Sequence, residues 1–179
     1  MQSDPSQNRS PNPSQKSFGK TFGILAWLCL LFLLVLFFDD QLAQMSNPNS
    51  DVEHQLVNNI PTVTLKRNKA GHYVANGFIN NQPVTFLLDT GATDVAIPQS
   101  VADRIGLTRG VKYSVNTANG RSTAFDTNLD SLELGAIHLT NVNASIVPGY
   151  MSNQILLGMS ALKQLEFTQR GDQLTLKQY

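Results

Sequence analysis

Hydrophobic and polar positions alternate in short runs along most of this 179-residue chain, and the pattern predicts β-strands more often than helices. Residues 62–65, 72–75 and 77–79 are extended segments with β-branched and aromatic side chains, separated by the Asn, Gly and Pro residues that are typical of turns. Residues 84–88 form an uncharged apolar run, which is typical of a buried strand. The pattern predicts an antiparallel β meander.

The extended pattern continues toward the carboxyl end of the chain. Residues 111–115 and 121–125 flank an Asn-Gly pair, which between extended segments is a strong signal of a hairpin. Helical spacing in this part of the chain is predicted at residues 100–107, ending near Gly106. Further strands are predicted at residues 131–134, 137–139, 142–147, 165–168 and 173–177, with a turn at residues 170–172.

The amino-terminal third has a different pattern. Residues 21–38 carry no charge and are dense in Leu and Phe, which predicts a transmembrane anchor helix. Residues 1–20 are rich in Ser, Pro, Asn and Gln and are predicted to form a disordered cytoplasmic tail. A polar linker is predicted at residues 39–59, before a folded domain at residues 60–179.

Charge on either side of the apolar run predicts its orientation. Basic residues precede it and Asp39 and Asp40 follow it, so the positive-inside rule places the amino terminus in the cytoplasm. A cleaved signal peptide is the competing interpretation. An uncleaved anchor is favoured because the run is long and bulky and lacks a small-x-small cleavage site. Under both interpretations the folded domain is exported.

Composition narrows the function further. The chain has 13 basic and 13 acidic side chains, and this balance argues against nucleic-acid binding. His54, His72 and His138 lack the spacing of metal ligands, so we expect no metal and no cofactor. Cys29 is the only cysteine, which leaves no intrachain disulfide. A Ser-His-Asp triad stays open in principle, although no Gly-x-Ser-x-Gly element supports one.

Asp89 is the strongest candidate for a catalytic residue. It follows the buried strand directly, so its carboxylate is expected at the edge of the core. Thr90 offers a hydroxyl for hydrogen bonds, and Gly91 permits a tight turn; Ala92 and Thr93 complete the loop. An isolated Asp-Thr-Gly is also what an ordinary Asx turn after a strand looks like, so the assignment depends on the rest of the chain.

A second uncharged run at residues 154–162 includes Leu156, Leu157 and Gly158 and leads into a short helix. With the Asp89 loop, the Ala-Ile-Pro at residues 96–98 and the hairpin at residues 117–120, its order and spacing resemble those of the retropepsin-like aspartic proteases, and most of all their small membrane-anchored bacterial branch. The resemblance spans residues 63–177. It implies a mostly β, closed barrel or meander with one or two short helices.

The resemblance also implies functional roles. It implies an aspartic endopeptidase without a cofactor, acting on peptide or protein substrates, in the bacterial inner membrane with a periplasmic domain. The hairpin turn corresponds to a flap that closes over substrate, formed by Thr117, Ala118, Asn119 and Gly120.

Aspartic protease chemistry needs two carboxylates around one water, and this chain has one Asp-Thr-Gly. An active enzyme would therefore be a homodimer in which Asp89 of each chain meets at a two-fold axis. Asp94 follows Asp89 closely and is expected to be exposed. The pattern is not repeated at Asp126, Asp130 or Asp172.

Two other functions remain open. The first is a non-catalytic exported scaffold that kept a protease-like fold and holds peptides, since fold does not settle function. The second is a processing enzyme that cuts only its own linker within residues 41–59.

Overall fold

The computed structural model describes residues 13–52, 54–117 and 120–179. It divides the chain into two compact units, Met1–Leu42 and Ala43–Tyr179. A single helix, α1 (Pro13–Ser46), runs through the described part of the first unit and ends in the second. Its stretch Gly19–Ser46 is long and apolar enough to cross a membrane.

Helix α1 is longer than the predicted 21–38. At 1.5 Å per residue its apolar stretch measures about 42 Å, compared with about 30 Å for a hydrocarbon core. Its large apolar side chains from Phe22 to Phe38 are exposed. Residues 13–20 of the predicted disordered tail are helical, and residues 1–12 lie outside the described residues.

The second unit is mostly β. Its described elements are, in order, β1 (Gln55–Val57), β2 (Ile60–Lys66), β3 (Val74–Ile79), β4 (Gln82–Leu88), β5 (Val95–Pro98), α2 (Gln99–Arg104), β6 (Lys112–Thr117), β7 (Gly120–Leu134), β8 (Ile137–Val147), β9 (Gln154–Leu157), α3 (Met159–Leu162), β10 (Glu166–Arg170) and β11 (Gln173–Lys177).

Seven strands form one sheet in the order β3-β4-β9-β5-β8-β7-β6. Strand β3 also pairs with β7, where Phe78 lies opposite Glu133 and Ile79 opposite Leu132. Six of the seven strands therefore close into a barrel, and β6 remains as an edge strand. A second sheet has the order β1-β2-β11-β10. The mostly β, barrel-like fold class predicted from the sequence is confirmed.

Two pairings differ from the predicted antiparallel meander. Strand β9 inserts between β4 and β5 and runs parallel to β4. Strand β5 runs parallel to β8. Parallel neighbours cannot be joined by a tight hairpin, so each pair brings together segments that are distant in the sequence. Alternation of polar and apolar residues predicts the strands but gives no information about such partners.

Core packing fixes the two strands that lead into the Asp89 region. Phe86 on β4 lies opposite Ile155 on β9, and both are 0% exposed. Leu157, at the end of β9, is 1% exposed. Burying a side chain of this kind stabilises the fold by about 1.5–3 kcal/mol, so the ends of β4 and β9 are held firmly by the barrel interior.

The segment after α1 belongs to the folded unit, unlike the linker predicted at residues 39–59. Asn49 is 6% exposed and bridges to Ala75. Its side-chain amide donates to the carbonyls of Lys66 and Val74 at 2.9 and 2.7 Å, and its Oδ1 accepts from the Lys66 N–H at 2.7 Å. Since Lys66 ends β2 and Val74 begins β3, Asn49 ties the two sheets together. Strand β1 then pairs with β2.

Candidate active site

Asp89 lies in the loop between β4 and β5, one residue after β4 ends. Its side chain is half-buried, as the sequence predicted. The Gly91 N–H donates to Asp89 Oδ1 at 2.9 Å, and the Ala92 N–H donates to the Asp89 carbonyl at 3.2 Å. A Cβ on Gly91 would lie 3.1 Å from the same Oδ1. The loop therefore folds around its own carboxylate, and a glycine keeps that oxygen accessible.

The second hydrophobic element lies directly beside this loop. In the parallel register Leu87 faces Leu156 and Leu88 faces Leu157. The ladder extends one step further, because the Asp89 N–H donates to the Leu157 carbonyl at 3.2 Å. Two motifs separated by more than sixty residues in the sequence are thus adjacent strands, and the second one positions the backbone of Asp89.

Gly158 is required by close backbone contact. A Cβ at this position would lie 2.2 Å from the Asp94 carbonyl oxygen and 2.7 Å from that of Ala92. Immediately after it, the Met159 N–H donates to the Ala92 carbonyl at 2.8 Å and the Ser160 N–H donates to the Thr93 carbonyl at 2.9 Å. The backbone at the start of α3 is therefore hydrogen-bonded to the Asp89 loop and fixes its position.

Ser160 also holds the loop, and the sequence analysis missed it. Its hydroxyl accepts from the Val95 N–H at 3.0 Å and donates to the Asn143 carbonyl at 2.8 Å. The side chain is 8% exposed; its bond with the Val95 N–H is buried, and its bond with the Asn143 carbonyl is partly buried. A serine within an otherwise apolar run was the only sequence signal for it.

The two threonines of the loop are exposed, and Ala92 is half-buried. The Thr90 hydroxyl has no hydrogen-bond partner among the residues that the structure describes. A bracing role for Thr90 and Thr93 therefore stays a prediction.

Asp94 differs from the expectation of an exposed side chain. It is half-buried, and its Oδ2 accepts a hydrogen bond from Ser145 Oγ at 3.4 Å. The same Ser145 hydroxyl is hydrogen-bonded to the Tyr113 hydroxyl. The Asp94 carboxylate is thus engaged with β8 and β6.

The predicted hairpin forms from β6 and β7, with Thr117 opposite Gly120. The Thr117 hydroxyl donates to the Gly120 carbonyl at 2.8 Å, and Gly120 has a φ of 101°, which favours glycine. The other two predicted flap residues, Ala118 and Asn119, lie outside the described residues. The hairpin is confirmed, and its role as a flap stays a prediction.

Among the pockets formed by the described residues of the second unit, two have volumes of about 680 and 830 Å³. Asp94, Tyr113, Asp126 and Asp130 help to line the smaller one, and Asp89 lines neither. Asp89 thus lies at the surface of the single chain, outside both concavities. Within the described ranges, no three His, Cys, Asp or Glu side chains are grouped to hold a metal ion.

A family model described as "gag-polyprotein putative aspartyl protease" matches residues 75–164. This range contains the Asp89 loop, the β6–β7 hairpin and the Gly158 element. Among solved structures, the chain is similar to a retropepsin-like aspartic protease from Rickettsia conorii, with 31% identity and a TM-score of 0.57, covering 66% of this chain and 92% of that one.

Two relatives of unassigned function also match. An uncharacterized protein in the cobV 5' region of Sinorhizobium sp is 34% identical over 119 residues, which are 64% of this chain and 51% of the relative. An uncharacterized protein of Rickettsia prowazekii is 31% identical over 107 residues, which are 58% and 46% of the two chains. The chain therefore spans about half the length of these relatives.

Proposed function

The chain belongs to the retropepsin-like aspartic protease family, and from this premise we propose that it is a membrane-anchored endopeptidase in which the Asp89 side chains of two copies activate water. The observation that carries the proposal is the Asp89 loop. Its carboxylate sits at the end of a buried strand, accepts the Gly91 N–H, and is backed by the Gly158 element. Such a carboxylate is fixed in position and open to a reactant on its free side.

The chemistry requires a second carboxylate, and a second copy of the chain supplies it. Among the described acidic residues, Asp94 is engaged with Ser145, and Asp126 and Asp130 line a pocket that excludes Asp89. A two-fold axis beside the exposed loop would bring identical Asp89 side chains together. Thr90 is exposed beside Asp89, and we propose that it contacts the second copy.

In the proposed reaction the two carboxyl groups share one proton, because two carboxylates held about 3 Å apart repel each other too strongly for both to be ionised. The ionised group accepts a proton from water as the water oxygen bonds to the carbonyl carbon, and the protonated group donates to the carbonyl oxygen. When the C–N bond breaks, the departing nitrogen takes one proton from the pair and a hydroxyl of the intermediate returns one. The pair ends as it began, with a single proton.

The substrate is proposed to be an extended peptide between the paired Asp89 loops and the β6–β7 hairpin. Extended peptides bind to protein strands through main-chain hydrogen bonds, while side-chain pockets supply specificity. The exposed hairpin end at Thr117 and Gly120 suits an element that covers a bound peptide.

The α1 helix is proposed as an uncleaved single-pass anchor in a bacterial inner membrane. Its apolar stretch Gly19–Ser46 supports this by length and composition. Lys16 and Lys20 precede the uncharged run and Asp39 and Asp40 follow it, so the amino terminus is proposed to be cytoplasmic and the protease domain periplasmic. Tethering in a membrane would also raise the effective concentration for dimer formation.

The test is cleavage of a diverse peptide library by the full chain in lipid nanodiscs, across mildly acidic to neutral pH, with Asp89→Asn in parallel. Asparagine keeps the oxygen that accepts the Gly91 N–H, so the loop is preserved while the proton chemistry is lost. Asp130→Asn is the matched control, since it makes the same change at an exposed aspartate of β7.

We expect cleavage by the parent chain and the control, and none by Asp89→Asn. Turnover retained in Asp89→Asn refutes the mechanism. A demonstrated dimer that binds peptides and cuts none of them favours the scaffold function instead.

A further inference from the structure

We propose that Tyr113, Ser145 and Asp94 form a hydrogen-bonded chain that positions strand β6 against the Asp89 loop. Through β6, these hydrogen bonds set where the β6–β7 hairpin lies over a bound peptide. This last step rests on the proposed peptidase function. The three are positioning residues, because they act on the hairpin and the loop and leave the chemistry to Asp89.

The two hydrogen bonds join three separate elements. Asp94 ends the Asp89 loop just before β5, Ser145 lies on β8, and Tyr113 lies on β6. The Tyr113 and Ser145 hydroxyls are hydrogen-bonded, and Ser145 Oγ lies 3.4 Å from Asp94 Oδ2. Ser145 is 4% exposed and Tyr113 is 36% exposed, so the two bonds are partly buried and the Ser145 hydroxyl is largely shielded from water that would compete for them.

The directions of the two bonds follow from their chemistry. The Ser145 hydroxyl donates to Asp94 Oδ2, and a carboxylate oxygen is an acceptor. A serine hydroxyl carries one proton, so the bond between the two hydroxyls must be donated by Tyr113. Replacing Tyr113 by Phe removes the only donor for that link while the ring remains.

Strand register places Tyr113 and Ser145 on one face of the sheet. Tyr113 lies opposite Ala124 on β7, and Asp126, two residues further along β7, lies opposite Ser145 on β8. Residues two apart on a strand share a face. Ala124 is small and fully buried, so the phenol ring can cross β7 above it and reach Ser145.

The effect of these hydrogen bonds follows from how firmly the Asp89 loop and β6 are each held. At one end, the Asp89 loop is fixed by the backbone contacts of Gly158 and Met159. At the other end, β6 is an edge strand whose only strand neighbour in the described sheet is β7. The Tyr113 bond therefore adds a second attachment for β6, and it leads directly to the catalytic loop.

Hydrogen–deuterium exchange tests the attachment without catalysis. Every variant is the full polypeptide chain in lipid nanodiscs and also carries Asp89→Asn, so that no cleavage occurs. Exchange is followed at protected amides of residues 112–117 and 120–125. Loss of one hydrogen bond changes an opening equilibrium by about fivefold. We therefore expect about fivefold faster exchange in Tyr113→Phe and in Ser145→Ala. The double variant should exchange no faster than either single one, because both remove the same link.

Ser114→Ala is the matched control, since it changes an exposed neighbour on the same strand, and its exchange should equal that of the parent. Exchange in Tyr113→Phe and Ser145→Ala no faster than in Ser114→Ala overturns the proposal. Acceleration that spreads to β10 and β11 also overturns it, because that would be a general loss of stability.

A second measurement concerns substrate. With Asp89 restored, we expect KM to rise about fivefold in Tyr113→Phe while kcat changes less, because one hydrogen bond that places the hairpin is lost. An unchanged KM overturns the link to substrate. An inactive parent chain whose variants still exchange faster refutes the proposed function but leaves the attachment of β6 standing.

Discussion

Gly158→Ala is the sharpest test of how the Asp89 loop is held. The new Cβ would lie 2.2 Å from the Asp94 carbonyl oxygen, and contacts under 3.0 Å are essentially never seen. Neither the Asp94 carbonyl nor the backbone at residue 158 can shift easily. Asp94 leads directly into β5, and residue 158 follows the buried end of β9. The clash can therefore be relieved only if the loop and the start of α3 move apart.

The expected magnitude follows from that displacement. Overpacking of this kind costs about 1–3 kcal/mol of stability. The separation must grow from 2.2 Å to 3.0 Å or more, and misplacing a catalytic group by about 1 Å costs about a hundredfold in rate. We expect both losses in the same variant, with the Met159 and Ser160 N–H bonds to the loop weakened.

The assay is urea unfolding followed by circular dichroism, together with peptide cleavage, on the full chain. Gly149→Ala is the control, because its added Cβ meets only the Ser122 hydroxyl at 3.1 Å, a side-chain atom that can rotate away. A Gly158→Ala chain as stable and as active as the control would refute the reasoning, since the loop would then not depend on close contact with Gly158.

Three further predictions concern the whole chain. Asn49→Ala should lower the free energy of unfolding by about 2–4 kcal/mol, because three hydrogen bonds are lost and buried backbone groups lose their partners; urea unfolding against Asn153→Ala, the same change at an exposed asparagine, checks this. An equal mixture of parent and Asp89→Asn proteins that exchange subunits freely should have about one quarter of the peptide-cleavage activity of the same total concentration of parent, because only one dimer in four has two intact carboxylates. An activity of one half would contradict a shared site. Tyr179→Phe should raise the pKa of Glu166, which the Tyr179 hydroxyl lowers by hydrogen bonding. In the parent that pairing stabilises the fold above the unfolded pKa of Glu166 and is lost as pH falls through the folded one; an NMR titration that shows no rise would contradict the assignment.

The Asn49 contacts also affect how the domain should be prepared. A fragment that begins at Val52 would lack Asn49, and one that begins at Ala43 would keep it. While residues 47–52 and 54–57 keep the described structure, they are also poor substrates for self-cleavage, because a protease binds its substrate as a free extended strand. Self-processing in this segment would first have to break the Asn49 bonds and the β1–β2 pairing.

The sequence by itself determined the local features of this protein. The uncharged run at residues 84–88, the Asp-Thr-Gly turn and the Asn-Gly hairpin are each decided by neighbours within a few residues, through side-chain alternation and turn geometry. The apolar run of α1 is local in the same sense. These features were enough to predict the strands, the Asp89 loop and the family resemblance.

Only the tertiary structure decided which of these segments meet. The parallel pairing of β4 with β9, the bond from the Val95 N–H to Ser160 across 65 residues, the link from Asp94 to Tyr113, and the sheet bridge at Asn49 all join distant parts of the chain. Local patterns carry no information about such partners, because a strand of given composition can pair in several ways. The choice among them is made when the whole core packs, and the observed arrangement buries Phe86 together with Ile155 and Leu157.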